Sequence, residues 1–268
     1  MIVPPYLQKG DRIAIVATAR SIAEGQIDNM VSFLKQDGFE PVIGTHIYDV
    51  HDRYAGNDSR RAEDLQLMLD DPKIKAVICA RGGYGTARMI DDIDWSTFVR
   101  CPKWICGFSD ATVLHSHVNS IGVASIHSTM ATGLINTDFD DPNYRTLVSE
   151  LIGKPKELKV EHNDLNRPGE TEAELIGGNL AVFSSIMGSP SDTRWDGKIL
   201  MLEDVCEYPY NVDRMMLNLR RAGRLKGLAG LVVGDISEQE EDDIPFGKTM
   251  YEVVAEHVKS YDFPVAFG

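Results

Sequence analysis

Residues 76–85 read AVICARGGYG, an apolar run that ends in a glycine-rich turn. The apolar part predicts a buried strand, and the glycines mark the turn that follows it. Similar runs at residues 12–19 (RIAIVATA) and 103–107 (KWICG) are separated from it by helical patterns. Strands that alternate with helices predict an α/β fold with a parallel sheet and helices on both faces. Ligands bind such sheets beyond the carboxyl ends of the strands.

The same alternation returns in the second half of the chain. Residues 172–176, 198–202 and 228–234 are predicted strands, and residues 211–221 are a predicted helix. Residues 137–168 between the two halves are polar, carry three prolines and have little periodicity, which is typical of a connection.

These patterns predict two domains. We expect an N-terminal doubly wound, mostly parallel, flavodoxin-like sheet in residues 1–140, a linker at 141–170 and a smaller α/β domain at 171–268. The acidic run 237–243 predicts a solvated loop. The final residues, 264–268 (PVAFG), read as the start of a strand, so we expect the C-terminal domain to continue beyond them.

Composition excludes several classes of function. Lys and Arg number 27 against 41 Asp and Glu, a formal net charge of −14, which is unfavourable for nucleic acids and anionic membranes. No apolar run approaches 18 residues, and no secretory signal is visible. The four cysteines form no CxxC pair and lie at no zinc-ligand spacing from the histidines. We therefore expect a cytoplasmic protein with reduced cysteines, no metal and no cofactor.

Residues 105–110 (ICGFSD) carry the sharpest local motif. A serine on a tight turn between a strand and a helix projects its hydroxyl above the sheet edge, and the next amide points to the same space. Ser109 is therefore a candidate nucleophile. The pattern departs from G-x-S-x-G, since Ala111 replaces the second glycine. The alternative is that Ser109 or Asp110 simply caps the helix.

The glycine turn at residues 81–85 belongs to the same predicted sheet edge. Its amides could cradle an oxyanion or a phosphate, but it matches neither a P-loop nor G-x-G-x-x-G. Of the histidines, His127 follows a strand that ends at this edge, whereas His115 and His117 are two apart on a helix and cannot form a ligand pair. Glu203 and Asp204 follow a strand of the second half, where a carboxylate could orient a histidine.

Taken together, these motifs resemble the LD-carboxypeptidases, a family of serine peptidases, over essentially the whole chain. The order and spacing of the motifs carry the resemblance. They are PPYL at 4–7, YAGND at 54–58, RGGYG at 81–85, GFSD at 107–110, GGNL at 177–180 and LEDV at 202–205, with Tyr210, Asp213 and Arg214. One departure is HSTM at 127–130, where relatives often read HGPM.

The resemblance implies residue roles. It places the nucleophile on Ser109, the acid of the catalytic triad on Glu203, and the oxyanion donors on the amides of Gly83 and Asp110. It places the base histidine in a segment after Gly268. Weaker candidates for substrate contacts are Arg81, His127, Asn179 and Arg214.

The family's typical reaction is hydrolysis of the L,D-peptide bond before the terminal D-alanine of murein tetrapeptide, in cell-wall recycling. The expected partner is therefore a small peptide, and relatives commonly form homodimers. Alternatives are a microcin C self-immunity peptidase acting on peptidyl or aminoacyl nucleotides, a flavin- or nucleotide-binding module, and a glutaminase-like enzyme with a nucleophilic cysteine. A thiol inhibitor separates the last of these from a serine enzyme, because Cys106 lies within the predicted strand.

Overall fold

The computed structural model describes residues 1–240 and 243–268 of the chain. They form two compact units, Met1–Glu157 and Leu158–Gly268, and each unit contains its own parallel sheet. This arrangement confirms the predicted α/β fold. Two residues of the acidic run, 241 and 242, lie outside the described residues. In the described part of the chain, no helix is both long and apolar enough to span a membrane.

The first unit has a five-stranded sheet in the order β2-β1-β3-β4-β5, with every pair of neighbours parallel. Its strands are β1 (Arg12–Val16), β2 (Glu40–Ile43), β3 (Ile74–Cys79), β4 (Trp104–Gly107) and β5 (Ile126–His127). Its helices are α1 (Asp28–Gln36), α2 (Asp58–Asp70), α3 (Thr86–Met89), α4 (Ser96–Arg100), α5 (Thr112–Ser120) and α6 (Pro142–Leu151). This is the predicted flavodoxin-like order, in which β2 lies on one side of β1 and the later strands lie on the other. Sheets of this kind have a ligand crevice where the strand order reverses, between β1 and β3.

Alternation along the central strands divides the apolar residues between two faces of the sheet. Ile13 and Ile15 of β1 belong to a core that also contains Phe33 of α1 and Leu147 of α6. Helix α2 contacts β1 and β3, and α5 contacts β4. Because both faces of the sheet are buried, the central strands read as nearly continuous apolar runs.

The second unit has a four-stranded parallel sheet in the chain order β6-β7-β8-β9. Its strands are β6 (Leu175–Asn179), β7 (Ile199–Val205), β8 (Gly230–Ser237) and β9 (Val265–Phe267). Its helices are α7 (Leu180–Ser185), α8 (Pro209–Arg221) and α9 (Met250–Val258). Strand β6 continues three residues beyond the predicted end at residue 176, through two glycines.

The predicted linker at 141–170 is wrong in its first third. Helix α6 begins at Pro142, with the Asp141 carboxylate accepting hydrogen bonds from the amides of the next turn. Tyr144, Leu147 and Leu151 lie in the core of the first unit. Their helical spacing and the Asp-Pro start are helix signals that the polar composition of the segment concealed.

Candidate active site

The turn after β4 holds Ser109 in a conformation that serine rarely adopts. Strand β4 ends at Gly107, and α5 begins at Thr112 after a short 3₁₀ turn over Ser109–Ala111. The φ angle of Ser109 is 58°, in the left-handed region where a residue other than glycine is strained. The structure thus brings Ser109 to the carboxyl end of an interior strand, on the tight turn that the sequence predicts.

Gly107 explains why this turn tolerates Ala111 at the position where the G-x-S-x-G pattern has glycine. A Cβ at Gly107 would lie 2.9 Å from the Cβ of Ala111 and 3.1 Å from the Cβ of Cys79. The φ of Gly107 is 157°, which also disfavours a side chain there. The methyl group of Ala111 therefore occupies space that only a glycine at 107 leaves open.

The glycine turn after β3 lies directly against the serine. A Cβ at Gly82 would be 2.9 Å from both Cβ and Oγ of Ser109, closer than side chains ordinarily approach. Any other residue at position 82 would displace the hydroxyl. The next glycine, Gly83, has a φ of 115°. The two motifs that the sequence analysis assigned to one sheet edge are therefore in contact.

Two backbone amides near this contact are available to a ligand. Within residues 1–240 and 243–268, the amides of Gly83 and Asp110 donate no hydrogen bond to a protein acceptor. An amide that lacks a partner beside a nucleophile can stabilise a developing oxyanion. These are the two amides to which the resemblance assigns that role.

The side chain of Asp110, unlike its backbone amide, forms a hydrogen bond within the described part of the protein. Its Oδ2 atom accepts a hydrogen bond of 2.8 Å from the amide of Thr86, the first residue of α3. The carboxylate is buried, and this burial raises the pKa of Asp110. Asp110 therefore ties the glycine turn to the turn that carries Ser109.

Arg61 of α2 also bonds to the loops near the glycine turn. Its side chain is completely buried, and it donates from Nε to the carbonyl of Thr18 (3.1 Å) and from Nη1 to that of Gly56 (2.7 Å). It also pairs with Asp58. A buried guanidinium that satisfies several carbonyls fixes the loops that meet there. Arg61 follows the YAGND motif of the family resemblance, but the sequence assigns it no role.

His115 is a positioning residue that sequence reasoning missed. Its Nε2 lies 2.8 Å from the carbonyl oxygen of Gly107 and its Nδ1 lies 2.8 Å from Oγ of Ser125. A carbonyl only accepts, so Nε2 carries the proton and Nδ1 accepts from the serine hydroxyl. Burial lowers the pKa of His115 to about 4, which keeps the ring neutral. No sequence signal marks this role, since it depends on the approach of α5 to the end of β4.

His127 lies on the strand beside the nucleophile strand. Its backbone pairs in register with Gly107, and its side chain is exposed. The centre of its ring is 6.3 Å from that of Phe108 and 5.9 Å from that of His115. His127 thus lies close to the turn of Ser109, where the sequence analysis expects it.

Glu203 lies within β7 of the second unit, opposite Asn179 of β6, and not after the end of the strand as the sequence predicts. On its other side the register with β8 shifts between Leu202 and Asp204, an irregularity that often re-aims a side chain near a functional site. Burial, and then the negative charge of Asp204, raise the pKa of Glu203 to about 7. A carboxyl group with such a pKa can respond to a nearby cation, because a positive partner would favour its ionised form.

Asn179 and Asp204 form a structural network beside Glu203. The Nδ2 of Asn179 donates to Oδ1 of Asp204 (2.8 Å), and its Oδ1 accepts from the amide of Val182, which caps α7. The other oxygen of Asp204 accepts from the amide of Ala181 (2.9 Å). Both ends of the Asn179 amide are therefore engaged within the second unit.

The two arginines among the weaker candidates differ in environment. Arg81 is half-buried and donates from Nη1 to the carbonyl of Ser21 at 3.3 Å. Arg214 is exposed on α8, with its guanidinium carbon 5.3 Å from the centre of the Tyr210 ring. Arg81 belongs to the glycine turn of the first unit and Arg214 to the second unit.

The two buried cysteines, Cys79 and Cys106, do not favour thiol chemistry. All four cysteines are free, and Cys79 and Cys106 are buried beneath the turns. Burial raises the pKa of Cys79 to about 12 and that of Cys106 still further, so neither thiol ionises at neutral pH. This environment argues against the glutaminase-like alternative.

Comparison with known proteins identifies relatives for both units. Residues 13–128 match the family model of the LD-carboxypeptidase N-terminal domain, and residues 172–268 match that of the C-terminal domain. A probable murein peptide carboxypeptidase of Bacillus subtilis is 34% identical over 87% of this chain and 74% of its own length. The murein tetrapeptide carboxypeptidase of Pseudomonas aeruginosa is 29% identical over 95% of this chain and 85% of its own.

Two solved structures are similar to this chain over most of its length. The muramoyltetrapeptide carboxypeptidase from Oxalobacter formigenes superposes with a TM-score of 0.84 at 29% identity, over 96% of this chain and 87% of that one. The microcin C7 self-immunity protein bound to aspartyl sulfamoyl adenosine has a TM-score of 0.85 at 19% identity, over 100% and 90%. The second likeness shows a shared fold only. With both family models matched and a strained serine at the expected turn, the chain belongs to the LD-carboxypeptidase family and is a serine-type carboxypeptidase.

Proposed function

We propose that this carboxypeptidase hydrolyses the L,D-peptide bond before the terminal D-alanine of murein tetrapeptide, with Ser109 as the nucleophile. The observation that carries the proposal is the left-handed turn of Ser109, packed against Gly82 beside two unengaged amides. The names of the relatives from Bacillus subtilis and Pseudomonas aeruginosa support the murein substrate.

The proposed reaction is acyl transfer. The Oγ atom of Ser109 attacks the carbonyl carbon, and a histidine takes the hydroxyl proton. The resemblance assigns Glu203 to orient that histidine. The amides of Gly83 and Asp110 stabilise the oxyanion, an effect of roughly 3–4 kcal/mol for a strong donor.

The leaving group and water complete the cycle. The C–N bond breaks as the histidine returns its proton to the amine of D-alanine, which departs. The same histidine then takes a proton from water, whose oxygen attacks the acyl carbon. The C–Oγ bond breaks as the histidine gives that proton to Oγ of Ser109, and the shortened peptide leaves with a free carboxylate. No metal or cofactor enters these steps.

Substrate contacts are proposed for Arg81 and His127 of the first unit and Arg214 of the second. Asn179 supports the site of Glu203 through its bonds to Asp204 and α7. A cytoplasmic location and a homodimer stay predictions, and sedimentation of the purified protein tests the second.

The decisive experiment measures D-alanine release from murein tetrapeptide. It uses the purified protein, with the Ser109→Ala variant as the control. We expect release of D-alanine by the wild-type protein and no release by the Ser109→Ala variant. Turnover retained in Ser109→Ala would overturn the role of Ser109. Hydrolysis of an aminoacyl sulfamoyl nucleotide in place of the tetrapeptide would favour the self-immunity alternative.

A further inference from the structure

Two arginines lie side by side at the glycine turn. The amide of Arg20 donates to the carbonyl of Gly82 at 3.4 Å. A Cβ at Gly83 would lie 3.0 Å from Cβ of Arg20 and 3.5 Å from its Cδ, so the Arg20 stem runs along this glycine. Burial, and then the positive charge of Arg20, lower the pKa of Arg81. The two guanidinium groups therefore share one environment and repel each other.

Neither arginine has an acidic partner among the described residues. Arg81 donates to a carbonyl, that of Ser21, and Arg20 has no ion pair in this part of the chain. Nearby arginines of α2 and α3 behave differently. Arg60 pairs with Asp49, and Arg88 pairs with Asp58.

The lack of an acidic partner for these two arginines among the described residues is informative because the protein has many acidic side chains that could pair with them. Its acidic side chains exceed its basic ones by 14. Two adjacent cations without a carboxylate are unfavourable unless an anion binds there. A guanidinium can bind a carboxylate through two parallel hydrogen bonds, which makes a carboxylate a suitable ligand.

The position of Arg20 and Arg81 indicates which carboxylate would bind to them. Gly82 contacts the Ser109 side chain on one side and accepts from the Arg20 amide. A carboxypeptidase cleaves the last peptide bond, so the terminal carboxylate lies within about 4 Å of the scissile carbonyl carbon. A cation pair beside the glycine turn, which itself contacts the Ser109 side chain, is within reach of that group.

We propose that Arg20 and Arg81 together form the subsite for the α-carboxylate of the substrate's C-terminal residue, with Arg20 as a specificity-determining residue. The inference rests on the proposed role of Ser109 as the nucleophile. It explains how an enzyme of this family would select free peptide ends over internal bonds.

The kinetic test compares a tetrapeptide acid with its C-terminal amide in the active form of the protein. Wild type should prefer the acid, and Arg20→Gln should lower kcat/KM for the acid by roughly 10- to 100-fold, the range expected for a lost charged hydrogen bond. Most of this loss should appear in KM, and the amide should be cleaved as before. Arg20→Lys should recover part of the preference for the acid.

Arg53→Gln is the matched control. It removes the same charge from an exposed arginine of the neighbouring loop, whose carbonyl accepts from the amide of Ser21. The control should keep the wild-type ratio of acid to amide. An unchanged ratio in Arg20→Gln, or an equal loss in Arg53→Gln, would overturn the proposal.

A binding measurement separates this inference from the proposed reaction. Calorimetric titration of Ser109→Ala with the acid, the amide and inorganic phosphate requires no turnover. Tighter binding of the acid than of the amide, lost when Arg20→Gln is added, would support the subsite even if no D-alanine were released. Equal binding of acid and amide would overturn it, and phosphate binding tighter than the acid would replace the carboxylate with a phosphate ligand.

Discussion

The Nε2 atom of His115 lies 2.8 Å from the carbonyl oxygen of Gly107, two residues before Ser109. That carbonyl also accepts from the amide of Ser128, at 2.9 Å, in the segment that follows β5. One carbonyl thus joins the end of β4, helix α5 and the chain after β5. The strained turn of Ser109 is held in place by a histidine that never needs to touch a substrate.

His115→Phe should loosen this turn while keeping an aromatic ring. Because the Gly107 carbonyl retains its bond from Ser128, we expect a loss of about 1–2 kcal/mol in the free energy of unfolding. Displacement of Ser109 should lower kcat by roughly 10-fold or more with little change in KM. Urea denaturation and D-alanine release measure the two effects. His117→Phe, two residues along the same helix, is the control, and an equal fall in its kcat would remove the special role of His115.

The buried His115 also predicts a pH dependence of stability. In the folded protein its pKa is about 4, whereas an unfolded histidine titrates near 6.5. Between these values the unfolded state binds more protons, so the free energy of unfolding falls as pH drops from about 6.5 to 4. The full effect is on the order of 3 kcal/mol. Denaturant unfolding at several pH values should show a smaller loss in His115→Phe, and identical profiles would contradict the neutral buried ring.

Asp110→Ala should release the glycine turn from the turn of Ser109. The amide of Thr86 would lose its buried acceptor, at a cost of about 1–3 kcal/mol in the free energy of unfolding. The amides of Gly83 and Asp110 would no longer be held for an oxyanion, so kcat should fall. Asp110→Asn keeps an oxygen acceptor and should preserve most of both properties. An Asn variant as impaired as the Ala variant would show that the charge, and not the hydrogen bond, matters.

Glu203 predicts a pH dependence of the opposite sign. Its pKa is about 7 in the fold, above the ordinary value of 4.5, so the folded state binds more protons between these values. The free energy of unfolding contributed by Glu203 is full below about pH 4.5 and falls as pH rises through 7, by on the order of 1–3 kcal/mol. Glu203→Gln should flatten this part of the profile. Asp235→Asn, which removes an exposed acid from β8, should leave it unchanged.

In the sheet of the first unit, the sequence predicted the central strands better than the edge strands. Strand β3 was expected at residues 76–80 and occurs at Ile74–Cys79. The apolar patterns at residues 41–47 and 123–127 predict longer edge strands than the structure has, since β2 covers only Glu40–Ile43 and β5 covers only Ile126–His127. An edge strand pairs with one neighbour, so its length depends on that partner as much as on its own residues.

Strand β6 shows the opposite error. The glycines at 177 and 178 suggested a strand that stops at residue 176, yet the strand continues to Asn179. A Cβ at Gly177 would lie 1.8 Å from the carbonyl oxygen of Met201 on β7, so only glycine permits this close approach. The glycines are part of the strand because of their neighbour, which the local sequence does not reveal.

The sequence by itself determined the α/β class, the alternation of strands and helices within each half of the chain, and the turn that carries Ser109. These features depend on apolar periodicity and on residues adjacent in the chain. The tertiary structure alone decided that Gly82 contacts Ser109, that His115 holds Gly107, and that Arg20 lies beside Arg81. These contacts join segments far apart in sequence, and their distances follow from the packing of helices on the sheet, which no local pattern encodes.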